Sequence, residues 1–260
     1  MSGAGLLLRA AATRAVGAFG LELRRKAPSA PQPRPESRLL ERYGVEALFD
    51  VGANVGMSAQ AVRRGGFAGT IVSFEPVSHL FSALEKAASA DPLWEVENVA
   101  LGAGPGRATI HVSGGHAGAS SLLEMTENVR RHAPDQRVVG SEEIDVSTLD
   151  LMLEKHYPQG ERCFLKLDVQ GFEKRVLEGG SRALDRVVGI KCEMSVVENY
   201  RDETLMTEMF PYLYDLGFRL LHVEGGKHFG HQGFVAIVLD HGHFALDADD
   251  AVKSARSARQ

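Results

Sequence analysis

Four acids in this chain stand at the ends of short apolar runs, where a side chain can do chemistry. Asp50 follows Leu48-Phe49, Glu75 follows Ile71-Val72-Ser73-Phe74, Asp168 follows Phe164-Leu165-Lys166-Leu167, and Glu193 follows Val187 to Cys192. A small-residue turn, Gly52-Ala53-Asn54-Val55-Gly56, comes directly after the first acid. A carboxylate accepts hydrogen bonds from a pair of hydroxyls, or takes a proton from one. A glycine turn lets a ligand press against bare backbone. Acids beside such a turn suggest a nucleoside-type ligand and a proton acceptor.

Apolar runs this short, with no polar alternation, suit strands buried on both faces. Ser58 to Arg64 reads as the first turns of a helix. Strand, tight glycine turn and helix N-terminus form a nucleotide-type site at the carboxyl edge of a parallel sheet. The interval from Gly52 to Glu75 fits one βαβ unit, which sets Glu75 against the ribose of a bound nucleoside. A dinucleotide fingerprint would need glycines at 52, 54 and 57, but Asn54 and Met57 fill two of those positions. A smaller nucleoside than NAD is therefore expected, and S-adenosylmethionine fits. Asp50 would take its ammonium end, the glycine turn its carboxylate, and Glu75 its ribose. The bland alternative is that Asp50 and Glu75 cap helices and the glycines make turns.

At 260 residues and 44% apolar composition, the chain suits one α/β domain with an extension. A formal charge of −5 gives no support for a nucleic-acid footprint. The two cysteines, Cys163 and Cys192, sit in apolar strand-like runs and read as core residues of a reducing compartment. No apolar run approaches the ~20 residues of a membrane span. A cytoplasmic protein is expected, at the inner face of the membrane if its N-terminal segment binds lipid.

Residues 1–26 form a basic amphipathic segment, with Arg9, Arg14, Arg24, Arg25 and Lys26 among apolar residues. Arg9 and Arg14 interrupt the apolar stretch, unlike a signal peptide. Over residues 3–26 the choice lies between a helix on an anionic membrane surface and a helix packed on the domain or frayed. Residues 27–37 carry four of the ten prolines and read as a linker. The catalytic domain spans 38–246, opening with a helix from Arg38 to Tyr43, and 247–260 is a loose polar tail. Strands are expected at Leu48–Val51, Ile71–Phe74, Trp94–Ala100, Arg107–Val112, Glu143–Val146, Phe164–Leu167, Val187–Cys192, Leu220–Val223 and Phe234–Leu239. Helices are expected between them, at Ser78–Ala90, from Thr148, at Phe172–Glu178 and at Thr204–Leu216. Such alternation predicts a parallel-dominated sheet covered on both faces.

Six motifs fall in one order: Asp50-Val51-Gly52-Ala53-Asn54-Val55-Gly56, Phe74-Glu75-Pro76, Asn98-Val99-Ala100-Leu101-Gly102, Ser147-Thr148-Leu149-Asp150, Leu165-Lys166-Leu167-Asp168-Val169-Gln170-Gly171-Phe172-Glu173 and Ile190-Lys191-Cys192-Glu193. Together, from about Ala47 to Leu239, the chain resembles the FkbM family of S-adenosylmethionine-dependent methyltransferases. Gln170 departs from the family pattern, which usually has Glu there. The resemblance implies a class I methyltransferase (Rossmann-like) fold, a seven-stranded, mostly parallel α/β sheet with its last strand antiparallel. It implies O-methylation of hydroxyls on sugars or secondary metabolites. It maps Asp50, Gly52, Asn54, Gly56, Glu75 and Asn98 to the cofactor side. Ala53 and Pro76 lie within those motifs and are taken with them.

Methyl transfer to an alcohol needs the oxygen held in line and its proton removed. Asp168 is the first candidate base, with Glu193 holding the acceptor. Their alternative roles are helix capping and, for Asp168, pairing with Lys166 or Lys191. His222, at a strand end, is a rival base. His228, His231, His241 and His243 read as surface-loop residues, and no spacing calls for a metal. Ser121, with Ser120 after a Gly-rich loop, would close over the cofactor, the alternative being a plain mobile loop. The expected partner is a small-molecule or glycan acceptor. The alternatives are an NAD-dependent oxidoreductase and a non-catalytic nucleoside-binding or scaffolding domain.

Overall fold

The computed structural model describes residues 35–114, 119–132, 136–160, 162–224, 228–229, 236–237 and 239–246. The basic segment 1–26, most of the linker, His231 and the tail 247–260 lie outside the described residues. The elements in order are α1 (Pro35–Arg42), β1 (Ala47–Val51), α2 (Met57–Arg64), β2 (Thr70–Phe74), α3 (Ser78–Ala88), β3 (Trp94–Glu97), β4 (Ala100–Leu101), β5 (Gly106–Ser113), α4 (Glu127–His132), β6 (Val138–Ser147), α5 (Leu149–His156), β7 (Cys163–Leu167), α6 (Glu173–Glu178), β8 (Val187–Met194), α7 (Met206–Asp215), β9 (Phe218–Glu224), β10 (His228–Phe229), β11 (Ala236–Ile237) and β12 (Leu239–Leu246).

Seven strands form one sheet in the order β3-β2-β1-β7-β8-β12-β9. The pairs from β3 to β8 are parallel, and β12 runs antiparallel between β8 and β9. This is the class I methyltransferase arrangement. Its two faces follow from the pleat, since neighbouring side chains point to opposite sides. Phe49, Val51, Val72, Phe74, Leu165 and Leu167 pack with Leu149 and Leu153 of α5, Val176 of α6 and Met209 and Leu213 of α7. Leu48, Ile71 and Phe164, one residue out of phase, pack with Leu40 of α1, Ala59 and Val62 of α2 and Leu84 of α3. Strands buried on both faces explain the unbroken apolar runs.

A second, three-stranded sheet, β4-β6-β5, stands beside the first. Val77, Ala100, Ile110 and Ile144 form its small core. The expected strand Trp94–Ala100 is therefore two strands. The chain leaves the main sheet at Asn98, whose amide donates to the carbonyls of Glu75 and Pro76, and Ala100 then pairs with Val146. The last strand also lies later than expected, at Leu239–Leu246 rather than Phe234–Leu239. Asp240, His241, Gly242 and His243 broke the apolar pattern that sequence reading relies on, and pairing with β8 and β9 overrides it. At the other end the first helix begins inside the stretch read as linker. Pro35 is tolerated there because a first-turn N–H has no helical partner, and Ser37 and Leu40 are already buried.

Candidate active site

The strand registers assemble the site. Val51 lies beside Phe74 and Leu167, Phe74 beside Glu97, and Leu167 beside Cys192. One residue further along, Asn98, Glu75, Gly52, Asp168 and Glu193 form a row along the carboxyl edge. The hydrogen bonds there continue the ladder: Gly52 N–H to the Phe74 carbonyl at 3.1 Å, Glu75 N–H to Glu97 at 3.1 Å, and Asp168 N–H to Val51 at 3.1 Å. An open cleft lies over the middle of this row, at Glu75, Gly52 and Asp168. Gly52, Glu75, Pro76, Ser121 and Asp168 line it with apolar Leu80, Val99, Leu101, Ile110, Leu122 and Phe172.

Gly52 is dictated twice. Its φ is +75°, and a Cβ there would sit 1.9 Å from the carbonyl oxygen of Asp168. Glu75 is held almost wholly by backbone: one carboxylate oxygen accepts from Asn54 N–H and the other from Val77 N–H, both at 2.9 Å. Asn54 takes φ 53°, which turns its N–H onto the carboxylate, and Asn tolerates that conformation. Burial pushes Glu75 up to about 7; the two N–H bonds and Lys166 oppose that rise, and Asp50 adds to it.

Asp50 takes a different task from the one expected. It is 0% exposed, does not line the cleft, and pairs with the Lys166 ammonium at 3.0 Å. Both side chains lie on the α1–α3 face of the sheet, because they share the parity of Leu48 and Phe164. Lys166 also donates to the Gly52 carbonyl at 3.0 Å and stands 3.5 Å from Asp168. Burial alone would lower that ammonium, but Asp50 and Asp168 outweigh it and hold it above the ordinary lysine range. Lys166 is thus the hub that sequence reading treated only as a partner for Asp168. Ala53 and Gly56 are likewise structural. Ala53 packs in the core, and a Cβ on Gly56 would meet Leu84 and the Trp94 ring at 2.9 Å. Asn54 and Asn98 act behind the wall, by fixing Glu75.

The other end of the row is a side-chain network. Gln170 donates to Asp168 Oδ1 at 2.9 Å and to Glu193 Oε2 at 2.6 Å, and its Oε1 accepts from Tyr200 at 2.7 Å. Ser121 donates to the Gln170 carbonyl at 2.7 Å and accepts from Leu123 N–H, so it joins the loop after β5 to the loop after β7. Glu173 accepts from Val169 N–H at 2.9 Å, and burial pushes it up to about 7. Gln170 and Tyr200 were not expected as site residues. Gln170 was noted only as a departure from the family pattern, and the partners that make it a junction, Glu193, Tyr200 and Ser121, lie 23 to 49 residues away. The backbone of His222 lies away from the row. It pairs with His243, which pairs with Lys191, so it lies short of the row and on edge strand β9, with β12 and β8 between it and β7. Among the described residues, no three His, Cys, Asp or Glu side chains are grouped to hold a metal ion.

Residues 50–220, well over half of the chain, match the family model described as the methyltransferase FkbM domain. The chain belongs to that family. Its cofactor is S-adenosylmethionine. The cleft fits this group: Glu75 would hold the ribose hydroxyls, Gly52 offers bare backbone, and the apolar wall suits a purine. No curated protein sequence matches the methyltransferase. Solved structures similar to it include magnesium protoporphyrin IX methyltransferase from Synechocystis with bound S-adenosylmethionine, at 8% identity and TM-score 0.42, covering 92% of this chain and 82% of that one. Another is precorrin-6y C5,15-methyltransferase from Geobacter metallireducens, at 10% identity and TM-score 0.42, covering 86% and 94%.

Proposed function

We propose that this methyltransferase moves a methyl group to a hydroxyl oxygen of an uncharged, hydroxylated small molecule, a carbohydrate or secondary metabolite, with Asp168 as proton acceptor. The observation that carries the reading is the setting of Asp168. It lines the cleft, its side chain is 30% exposed, and it has one oxygen on Gln170 and the other near Lys166. A carboxylate fixed from behind and open in front is built to accept from a substrate hydroxyl.

The charge of the wall supports a neutral acceptor. The described lining includes Glu75 and Asp168 but neither lysine nor arginine, and the nearby cation, Lys166, is buried and paired. A phosphate-bearing acceptor such as RNA would meet two acids and no basic contact. S-adenosylmethionine supplies the activated methyl group when bound. The chain's own work is to hold the ribose through Glu75, keep water out with Leu101, Ile110 and Leu122, and take the hydroxyl proton on Asp168.

The test is transfer of isotope-labelled methyl from S-adenosylmethionine into pools of glycans, polyhydroxylated metabolites and RNA, with mass spectrometry of the product. An ether on a neutral hydroxyl compound is expected. Label confined to RNA would overturn the reading, and cofactor binding without any turnover would favour a scaffolding domain.

A further inference from the structure

Gln170 has more to do at the site than its place in a loop requires. Its backbone takes φ 57°, and Gly171 follows at φ 94°. A left-handed conformation is uncommon outside glycine, asparagine and aspartate, and a long side chain gains nothing from it locally. Such outliers gather where surrounding contacts demand them. The contacts here come from four segments. The amide nitrogen faces Asp168 and Glu193, Tyr200 faces the amide oxygen, and Ser121 donates to the main-chain carbonyl.

The two carboxylates settle which way the amide points. Its nitrogen has two N–H groups and no lone pair to offer, so it faces the two acceptors, while the oxygen receives the tyrosine O–H. Tyr200 is held in turn: its ring is buried, its backbone N–H reaches Glu203, and Met125 bridges to it across the loop. Tyr200 therefore sets the amide, and the amide sets both acids.

We propose that Gln170 is the positioning residue of the acceptor site, giving one N–H to Asp168 and one to Glu193 and so fixing Asp168 where it lines the cleft, with Glu193 tied to it from behind. The inference rests on the reading of Asp168 as proton acceptor. A neutral donor with two N–H groups lets two carboxylates stand close as acceptors without sharing a proton. Other titratable groups stand near the pair: Lys166 and, behind it, Asp50; Glu173 at the start of α6; Glu203 and Tyr200 in the loop after β8; Glu75 across the cleft; and the Cys192 thiol.

The test is a carbon-13 NMR titration of the Asp168 and Glu193 carboxylates in the full chain, saturated with S-adenosylhomocysteine. Gln170→Glu keeps the shape but adds a third acid, so the apparent pKa of at least one carboxylate should rise by about one unit or more. Gln170→Gly suits the left-handed backbone, so melting temperature should hold or rise while the carboxylate titrations still move upward through loss of the donor. Tyr200→Phe should shift them less, in the same direction. Once an acceptor is known, the acidic limb of the pH–turnover profile should move with the titrations. Unchanged titrations in both Gln170→Gly and Gln170→Glu would overturn the proposal. Because the titration needs no acceptor, it stands or falls apart from the reaction. Normal turnover in Asp168→Asn would remove the base reading and leave the amide bridge intact.

Discussion

The two ends of the row along the carboxyl edge are built from different materials. At the β2 end, side chains are held by backbone: Glu75 by the N–H groups of Asn54 and Val77, and Asn98 by two carbonyls. At the β7–β8 end, side chains hold side chains: Gln170 ties Asp168, Glu193 and Tyr200 together. The first arrangement needs only two neighbouring strands and their turns. The second needs the loops after β5, β7 and β8 to meet. A backbone-held end suits a ligand that every family member shares. A side-chain-held end can change with the acceptor while the fold stays.

The largest effect should come from the acceptor end. Asp168→Asn keeps shape and removes the proton acceptor, so turnover should fall roughly 10²–10⁴-fold while cofactor affinity by calorimetry stays put. A parallel loss of cofactor affinity would show that the two ends are not separable. Next comes the cation they share. Lys166→Met leaves the wholly buried Asp50 without its ion-pair partner, and unfolding in urea should show a loss of about 3–5 kcal/mol. A loss below about 1 kcal/mol would mean that Asp50 sits in the fold protonated at little cost.

The smallest effects belong to the backbone-held end. Glu75→Gln sets an NH₂ against one of two backbone donors and weakens the ribose contact, so cofactor binding should fall by about 1.5–3 kcal/mol. The pH dependence separates its two roles. Glu75 and Glu173 are each raised from 4.5 to about 7 by burial. A raised carboxyl favours the folded state most when protonated. Their contribution is therefore complete below 4.5 and is lost as pH rises through 7, and the melting temperature of the free protein should fall over that window. Cofactor affinity should run the opposite way, rising up to about pH 7 as Glu75 ionises and becomes the better acceptor. Calorimetry across that range checks this, and Glu75→Gln should flatten the slope.

Sequence reading found what short-range rules govern. Buried parallel strands leave apolar runs, so β1, β2, β7 and β8 were legible to within a residue or two, and the row at their ends came with them. Thr148 was legible as a helix start, and its hydroxyl accepts from Leu151 N–H at 3.2 Å. Asp150 was read as support for that helix's first turn, yet it also holds the backbone of Arg182 and Ala183, a contact across 32 to 33 residues that no local pattern carries. The pairing of Asp50 was not legible because an acid at a strand end looks alike whether it faces a ligand or a buried lysine. Only the strand register shows that Lys166 lies beside it. β12 escaped because a strand inserted between two others need not be apolar. Gln170 and Tyr200 escaped because hydrogen bonds between distant loops leave no period in the chain.

The contact between Gly52 and Asp168 acts as a fixed gauge. With no side chain between the two main chains, the span from the cofactor turn to the acid is set by peptide geometry alone. Surrounding loops, such as those carrying Ser121 and Tyr200, can be rewritten without changing that span. A lineage built on this joint can exchange one substrate for another while the glycine turn and Asp168 stay in the same alignment.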